Sequence, residues 1–209
     1  MTAEDLEEAV RLAVETLRRA SGPAAWQARA GSLDWTCWET AEHLADDLFA
    51  YAVQLGLTVP PLDVNVPFAM ESRTPGGPRN AVRADPAAGV TGLLQVLQSS
   101  GALLAAMVRT APPHARAHHI FGPADASACA AMGLVETLVH VHDLAGGLGL
   151  DWTPPARLCA RALARLFPGA PGGADPWTTL LWATGRAELP GRRRLTRWCW
   201  HNEPPPHQQ

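Results

Sequence analysis

Glu136, His140 and Asp143 stand at i, i+4 and i+7 in the run ACAAMGLVETLVHVHDLAGGLG. On an α-helix these positions share one narrow face. The remaining faces carry Leu134, Val135, Leu138, Val139, Val141, Leu144 and Leu148, so the helix reads as buried on most sides. The acidic and imidazole groups would then point into protein. A buried carboxylate without a partner is costly, and carboxylate with imidazole is a donor set for a divalent cation such as zinc. Gly133 and Gly147 flank the stripe and are expected to leave room beside it. The competing reading is a Glu–His hydrogen bond between buried helices, and E-x-x-x-H spacing alone does not separate the two.

A catalytic metal site needs three protein ligands and an open position. Glu136 and His140 would supply two, and His43, beside the inner stripe of an earlier helix, is a candidate for the third. Asp143 is expected to serve the chemistry from the same stripe, as partner to a ligand histidine or as a substrate contact. His142 points about 200° away from His140 on a helix, so packing or a hydrogen bond elsewhere is expected of it. His114, His118 and His119 are bracketed by Pro112-Pro113 and Gly122-Pro123. They fall in a loop, where i,i+4 spacing promises no shared face. Because this loop feeds the Glu136 helix, His118 or His119 could border a site at that end.

Other chemistries are excluded or unsupported. All 17 basic residues are Arg, and the absence of Lys rules out a Schiff-base lysine, a pyridoxal-phosphate lysine and a Walker A lysine. Cys37, Cys129, Cys159 and Cys199 are widely spaced, without CxxC, and read as free packing thiols rather than a structural zinc site. GGLG at 146–149 lacks dinucleotide-binding spacing and follows a helix, so it reads as a C-cap. No motif supports a Ser-His-Asp triad. The net charge of −3 argues against a nucleic-acid partner. The N-terminus MTAEDLEEAV has no basic n-region, so no secretory signal is expected. No uninterrupted apolar run approaches the ~20 residues of a membrane span. A cytoplasmic protein without a membrane partner is the expectation.

The elements that must position these residues read as all-helical. Thr2 caps a first helix with Leu6, Val10, Val14 and Leu17 on one face, ending before Ser21-Gly22-Pro23. Thr36-Cys37-Trp38-Glu39 is a capping box opening a second helix to about Leu55, its inner stripe Leu44, Leu48 and Leu55. Residues 56–85 are Pro- and Gly-rich, and an irregular segment this long is usually functional or mobile. Asp85-Pro86 starts a third helix carrying Leu93, Leu94, Leu97, Leu103, Leu104 and Met107, which stops before Pro112-Pro113. The fourth helix carries Glu136 and His140. Thr153-Pro154 starts a fifth, to about Phe167, and Asp175-Pro176 a sixth, to about Thr184. Four long and two short helices imply one helix bundle over residues 1–191, with an irregular Arg/Trp/Pro-rich tail at 192–209 whose Pro-rich end is extended or disordered. Trp177, Trp182, Trp198 and Trp200 either pack on the chain's own bundle or pair two protomers as a homodimer.

Three segments resemble a known family, the DinB-like, mycothiol-dependent maleylpyruvate isomerase type of metal-binding helix bundle. LDWTCWETAEHLADDLFAYAVQL is similar to its W-T-x-x-x-x-x-H-L start, with the histidine at His43. GLVETLVHVHDLAGGLG is similar to its E-x-x-V-H-x-x-D-L-A segment, matching Glu136, Val139, His140, Asp143, Leu144 and Ala145. DPWTTLLWATGRAELPG is similar to its L-L-W-x-x-G-R element. The likeness spans roughly residues 33 to 191. It implies a DinB-like four-helix bundle in which His43, Glu136 and His140 hold one divalent ion, with zinc the expected metal. It also implies that the open position accepts a mycothiol-like thiol, whose thiolate attacks a small electrophilic substrate in a transferase or isomerase reaction. Family members with isomerase activity commonly carry a further C-terminal domain, and with fewer than twenty residues after Gly191 that domain is expected to be missing. His142 stands where relatives often have a large aromatic or apolar residue. Two rivals to a thiol enzyme stay open: a non-catalytic small-ligand-binding or regulatory bundle, and a metal hydrolase or lyase that uses no thiol.

Overall fold

Thr2 and Thr36 begin the first two long helices in the same way. The Thr36 hydroxyl accepts from the Glu39 amide at 3.1 Å while the Glu39 carboxylate accepts from the Thr36 amide at 3.0 Å. Thr2 and Asp5 form the equivalent pair. Each reciprocal pair satisfies amides that a helix start otherwise leaves orphaned. The computed structural model describes residues 1–203. Its helices are α1 (Ala3–Leu17), α2 (Gly22–Ala25), α3 (Cys37–Leu55), α4 (Gly89–Thr110), α5 (Ala126–Leu148), α6 (Ala156–Leu166) and α7 (Pro176–Ala183). Among the described residues there is no strand, only isolated bridges such as Glu71–Asn80 and Ala117–Ala124.

The fold is all-α. Helices α1, α3, α4 and α5 make the bundle: α1 and α3 each pack on α4 and α5, and α4 touches α5. Leu6, Val10, Val14 and Leu17 of α1 and Leu44, Leu48 and Leu55 of α3 are all buried, as their spacing predicts. Helix α5 is buried on nearly every side, with Leu134, Val135, Leu138, Val141 and Leu144 inaccessible. It ends on Gly149 in the left-handed region, at φ 66°, a conformation that excludes most side chains. Helices α6 and α7 pack on each other, and α6 leans on α5.

Several local expectations change. Asp85-Pro86 opens a single 3-10 turn, Pro86–Ala88, and α4 proper starts at Gly89. Leu103 lies on the exposed side of α4 rather than in the core. Helix α6 starts at Ala156, after Pro155, with no side-chain cap, so Thr153 does not cap it. The one-turn α2 lies where Ser21-Gly22-Pro23 reads as a stop, because a proline also suits a helix's first turn. Gly133 and Gly147 do not open space beside the stripe. A Cβ at 133 would meet Leu104, Leu48 and Leu6, and one at 147 would meet the Arg29 carbonyl and the Cys37 sulfur, so both glycines are close-approach points. The segment Pro86–Thr110, although its apolar run is broken by Thr91, Gln95, Gln98, Ser99 and Ser100, reaches a mean hydropathy of 1.4 over 18 residues, long and apolar enough by composition to cross a membrane. In this fold that segment packs its apolar face on α1 and α3.

Two irregular segments are tied to the bundle. Buried Glu42 accepts from Arg73 Nε and Nη2, both at 2.6 Å, and from the Ala84 amide at 2.9 Å. Asp46, one turn on, accepts from the amides of Ala81 and Val82 at 2.8 and 2.7 Å. The 56–85 segment is therefore pinned along one face of α3. The C-terminal tail docks through the His201 amide on Leu166 O at 2.8 Å and Asn202 Nδ2 on Gly122 O at 2.8 Å. This docking buries Trp200 against the chain's own bundle. The Pro-rich end, 204–209, lies outside the described residues.

Candidate metal centre

His43 comes from the second turn of α3, whose start the Thr36–Glu39 box sets. Glu136, His140 and Asp143 come from the middle and last turns of α5. The two helices run antiparallel at this point, since His43 faces His140 while Tyr51 faces Glu136. The imidazoles of His43 and His140 meet edge to face at 5.5 Å between centroids, and Trp35 packs edge-on against His43 at 4.9 Å.

Four donor groups converge between these helices. His140 Nε2 lies 3.3 Å from Glu136 Oε2, and His43 Nε2 lies 3.4 Å from Asp47 Oδ2. The donor atoms of His43, Asp47 and His140 all lie within 4.8 Å of one another. Glu136 stands beside this group rather than inside it, with Tyr51 Oη donating to its Oε1 at 3.4 Å. The other nitrogen of each imidazole is turned outward to a partner. His43 Nδ1 is 3.3 Å from Asn80 Oδ1, and His140 Nδ1 is 3.3 Å from Asp143 Oδ2. This last pair has ion-pair distance without hydrogen-bond alignment. Asp143 is in turn gripped by Arg186, whose Nη2 donates to Oδ2 at 2.7 Å.

The protons in this cluster are contested. Burial drives His43 down to about 4, helped by the charge on His140. Burial also opposes a charge on His140, but the Asp143 and Glu136 carboxylates outweigh it and lift the imidazole to about 9. Glu136 is held below the usual carboxylate range: burial pushes it up, and His140 and His43 pull it further down. Asp47 is pushed well above that range by burial and then by the Glu136 charge. At neutral pH the ion-free cluster therefore holds a proton on His140, while burial and the Glu136 charge raise the proton affinity of Asp47. Two imidazoles and two carboxylates sharing protons in one buried space suit a divalent cation, which would replace those protons. The outward-facing nitrogens, one meeting Asn80 and the other 3.3 Å from the Asp143 carboxylate, resemble what metal-ligating histidines usually show.

In front of the cluster lies a cavity of about 400 Å³, lined by His43, Asp47, Tyr51 and Glu136 on the bundle side. Its outer wall comes from the 56–85 segment, the connection before α5 and the tail. His118 and His119 both line it, with His118 Nδ1 3.1 Å from Leu62 O. His114 is not among the lining residues. Asp143 does not line the cavity either. It sits behind His140, which makes it a group that acts through the imidazole. His142 faces Trp177 at 5.7 Å, away from the cluster. Cys37, Cys129 and Cys159 are buried free thiols, and burial raises them to about 11, 12 and 12; Cys199 is free and exposed.

Four residues of the centre escape a reading of the pattern around Glu136. Asp47 follows His43 by one turn, the mirror of Glu136 and His140, and this H-x-x-x-D spacing is a signal that the sequence carries. Tyr51, the chain's one tyrosine, is a further turn on. Asn80 has no local signal, because only the anchoring of its loop brings it to His43. Arg186 lies in the LLWATGR segment, far along the chain from Asp143.

An all-α bundle with histidines and carboxylates facing each other across one antiparallel helix pair is a DinB-like helix bundle. The chain belongs to the mycothiol maleylpyruvate isomerase N-terminal domain family, whose profile matches residues 6–145. That match takes in the bundle, His43, Asp47, Glu136, His140 and Asp143, and leaves out Arg186 and the tail. Comparison with curated proteins and with solved structures found no match.

Proposed function

We propose that this protein is a metal-dependent enzyme that activates a low-molecular-weight thiol of the mycothiol type for attack on a small electrophile, as a transferase or isomerase. One observation carries the reading: His43 and His140 turn their Nε2 atoms to the Asp47 and Glu136 carboxylates, while Asn80 Oδ1 meets Nδ1 of His43 and the Asp143 carboxylate lies 3.3 Å from Nδ1 of His140. His43, His140 and Glu136 are the proposed ligands, and the nitrogen-rich donor set favours zinc. A divalent ion held there would lower the pKa of a thiol entering its open position and so supply a thiolate at neutral pH.

The chain's own residues do the rest. Asp47 faces the cavity with a carboxyl whose proton affinity is raised by burial and by Glu136, which suits it to take a proton from the incoming thiol and return it to the product. Tyr51 orients Glu136 through its hydroxyl. Asp143 and Arg186 fix the His140 ring and are positioning residues. No thiol of the chain serves as the nucleophile, since three are buried with raised pKa values and Cys199 is not among the residues lining the cavity.

The test is elemental analysis of the purified protein beside His140→Ala, followed by titration of cobalt-substituted protein with mycothiol. Metal near one equivalent in the parent, lost in the variant, with a visible spectrum that changes on adding thiol, is the expected result. Full metal occupancy in His140→Ala overturns the ligand assignment. An unchanged spectrum at saturating mycothiol overturns the thiol reading.

A further inference from the structure

The cavity in front of the cluster has an outer wall of aromatic rings drawn from three separate segments. Phe68 comes from the 56–85 segment, His119 and Phe121 from the connection before α5, and Trp200 from the tail. The His119 ring lies 5.3 Å from Phe121 and 5.5 Å from Trp200, and Phe121 meets Trp200 edge to face at 5.9 Å. These are distances at which rings hold one another in place, so the wall is formed before any ligand enters. Its volume of about 400 Å³ is in the usual range of small-molecule sites.

Two lining residues carry buried polar atoms with no partner among the described residues. These are the indole N–H of Trp200 and Oε1 of Gln54. Gln54 spends its amide nitrogen on Asn65 Oδ1 at 2.7 Å. Both atoms are closed off from the cavity's free volume, so this wall offers a ligand its aromatic faces rather than these polar groups.

Charge narrows the ligand further. Asp46, Asp47 and Glu136 line the cavity, against Arg79 as its one guanidinium. Burial keeps His119 neutral, near 4. Away from these groups the wall is made by Phe49, Val53, Val66, Ile120 and the aromatic rings, a surface that accommodates charged groups poorly.

We propose that this cavity binds a neutral aromatic small molecule, seated among Phe68, Phe121 and Trp200. The proposal rests on the preceding reading in taking the cavity as the substrate side of the metal centre. It assigns substrate class to Phe121 and Trp200, and Trp200 belongs to the tail outside the family match.

The test is calorimetric titration of zinc-loaded protein with 2-naphthol and, separately, with maleate. Saturable binding of 2-naphthol at one site and none of maleate is expected. Phe121→Ala and Trp200→Leu should each weaken 2-naphthol about tenfold, the loss expected for one aromatic contact. Phe121 is partly exposed on its loop, so its truncation leaves folding intact and carries the test if Trp200→Leu does not fold. Absence of 2-naphthol binding at full zinc occupancy, tighter binding of maleate, or unchanged 2-naphthol affinity in Phe121→Ala overturns the proposal. Repeating the titration on chelator-treated protein separates the two readings. Binding of 2-naphthol that persists there and still depends on Phe121 upholds the cavity assignment, even if His140→Ala retains its metal and the ligand assignment falls.

Discussion

The guanidinium of Arg186 holds both carboxylate oxygens of Asp143, with Nε 3.1 Å from Oδ1 and Nη2 2.7 Å from Oδ2. Burial pushes the Asp143 carboxyl up, but His140 and Arg186 outweigh it and keep it ionised. A residue beyond the bundle thereby fixes the imidazole of His140 from behind. Asp143→Asn should leave the fold intact and lower metal affinity by 10- to 100-fold, the effect usual for a partner of a ligand histidine. Competition against a chromophoric chelator measures it. Arg186→Ala leaves the buried Asp143 carboxylate with His140 as its remaining charged partner and should destabilise the ion-free protein by about 1–3 kcal/mol, read as a lower urea midpoint.

Asp47 and Glu136 divide two tasks, and conservative amides tell them apart. Glu136→Gln should lose metal, since it removes the charge that partners His140. Asp47→Asn should keep metal while turnover with thiol falls by about 10²–10⁴, the range of a lost general base. Elemental analysis of the two variants side by side decides it. The opposite pattern, with metal lost in Asp47→Asn and kept in Glu136→Gln, would move the ligand role to Asp47, whose donor oxygen lies in the tighter group with the two histidines.

Metal affinity should rise with pH. In the ion-free protein His140 holds its proton up to about 9, so a cation entering below that pH must displace it. Each proton displaced lowers the apparent affinity about tenfold per pH unit. His43, near 4, adds to the competition only in acid. The stability of the ion-free protein runs the other way for this group. A raised imidazole pKa contributes fully below the unfolded value of about 6.5, and that contribution is lost as pH rises through about 9. Chelator competition and thermal melts at roughly pH 6, 7.5 and 9 check both signs.

The 56–85 segment should loosen when Glu42 is replaced. Glu42→Ala removes the acceptor of Arg73 and of the Ala84 amide and should cost about 1–3 kcal/mol. Faster hydrogen exchange at residues 71–84 is the expected reading, together with weaker metal binding as Asn80 leaves His43.

Gly147→Ala should destabilise the bundle while Gly146→Ala should not. A Cβ at 147 runs into the backbone carbonyl of Arg29, which cannot turn aside as a side-chain tip would, whereas one at 146 meets Gly31 Cα at an ordinary 3.6 Å. Overpacking of this kind costs about 1–3 kcal/mol, or roughly 2–4 °C in Tm per kcal/mol for a chain of this size.

Much of this fold can be read directly. The Thr36–Glu39 box and the spacing of Leu44, Leu48 and Leu55 set α3 and the face that it buries, because caps and hydrophobic period act within a few residues. The same locality places Glu136, His140 and Asp143 on one stripe of α5. Where a boundary went astray, at Thr153 and at Gly22–Ala25, more than one start was locally acceptable and tertiary packing chose between them.

By itself, the sequence determined the helices, their buried faces and the pairing of a carboxylate with an imidazole one turn apart, since helical geometry links residues at i and i+4 wherever the helix lies. Only the tertiary structure decided what faces that pair. The antiparallel packing of α3 on α5 brings His43, Asp47 and Tyr51 to Glu136 and His140. The pinning of the 56–85 segment by Glu42 and Asp46 delivers Asn80. The return of the chain after α7 and the docking of the tail add Arg186 and Trp200. These partners are far apart along the chain, and the energies that join them are side-chain contacts made only after the bundle has closed, so no local pattern can encode them.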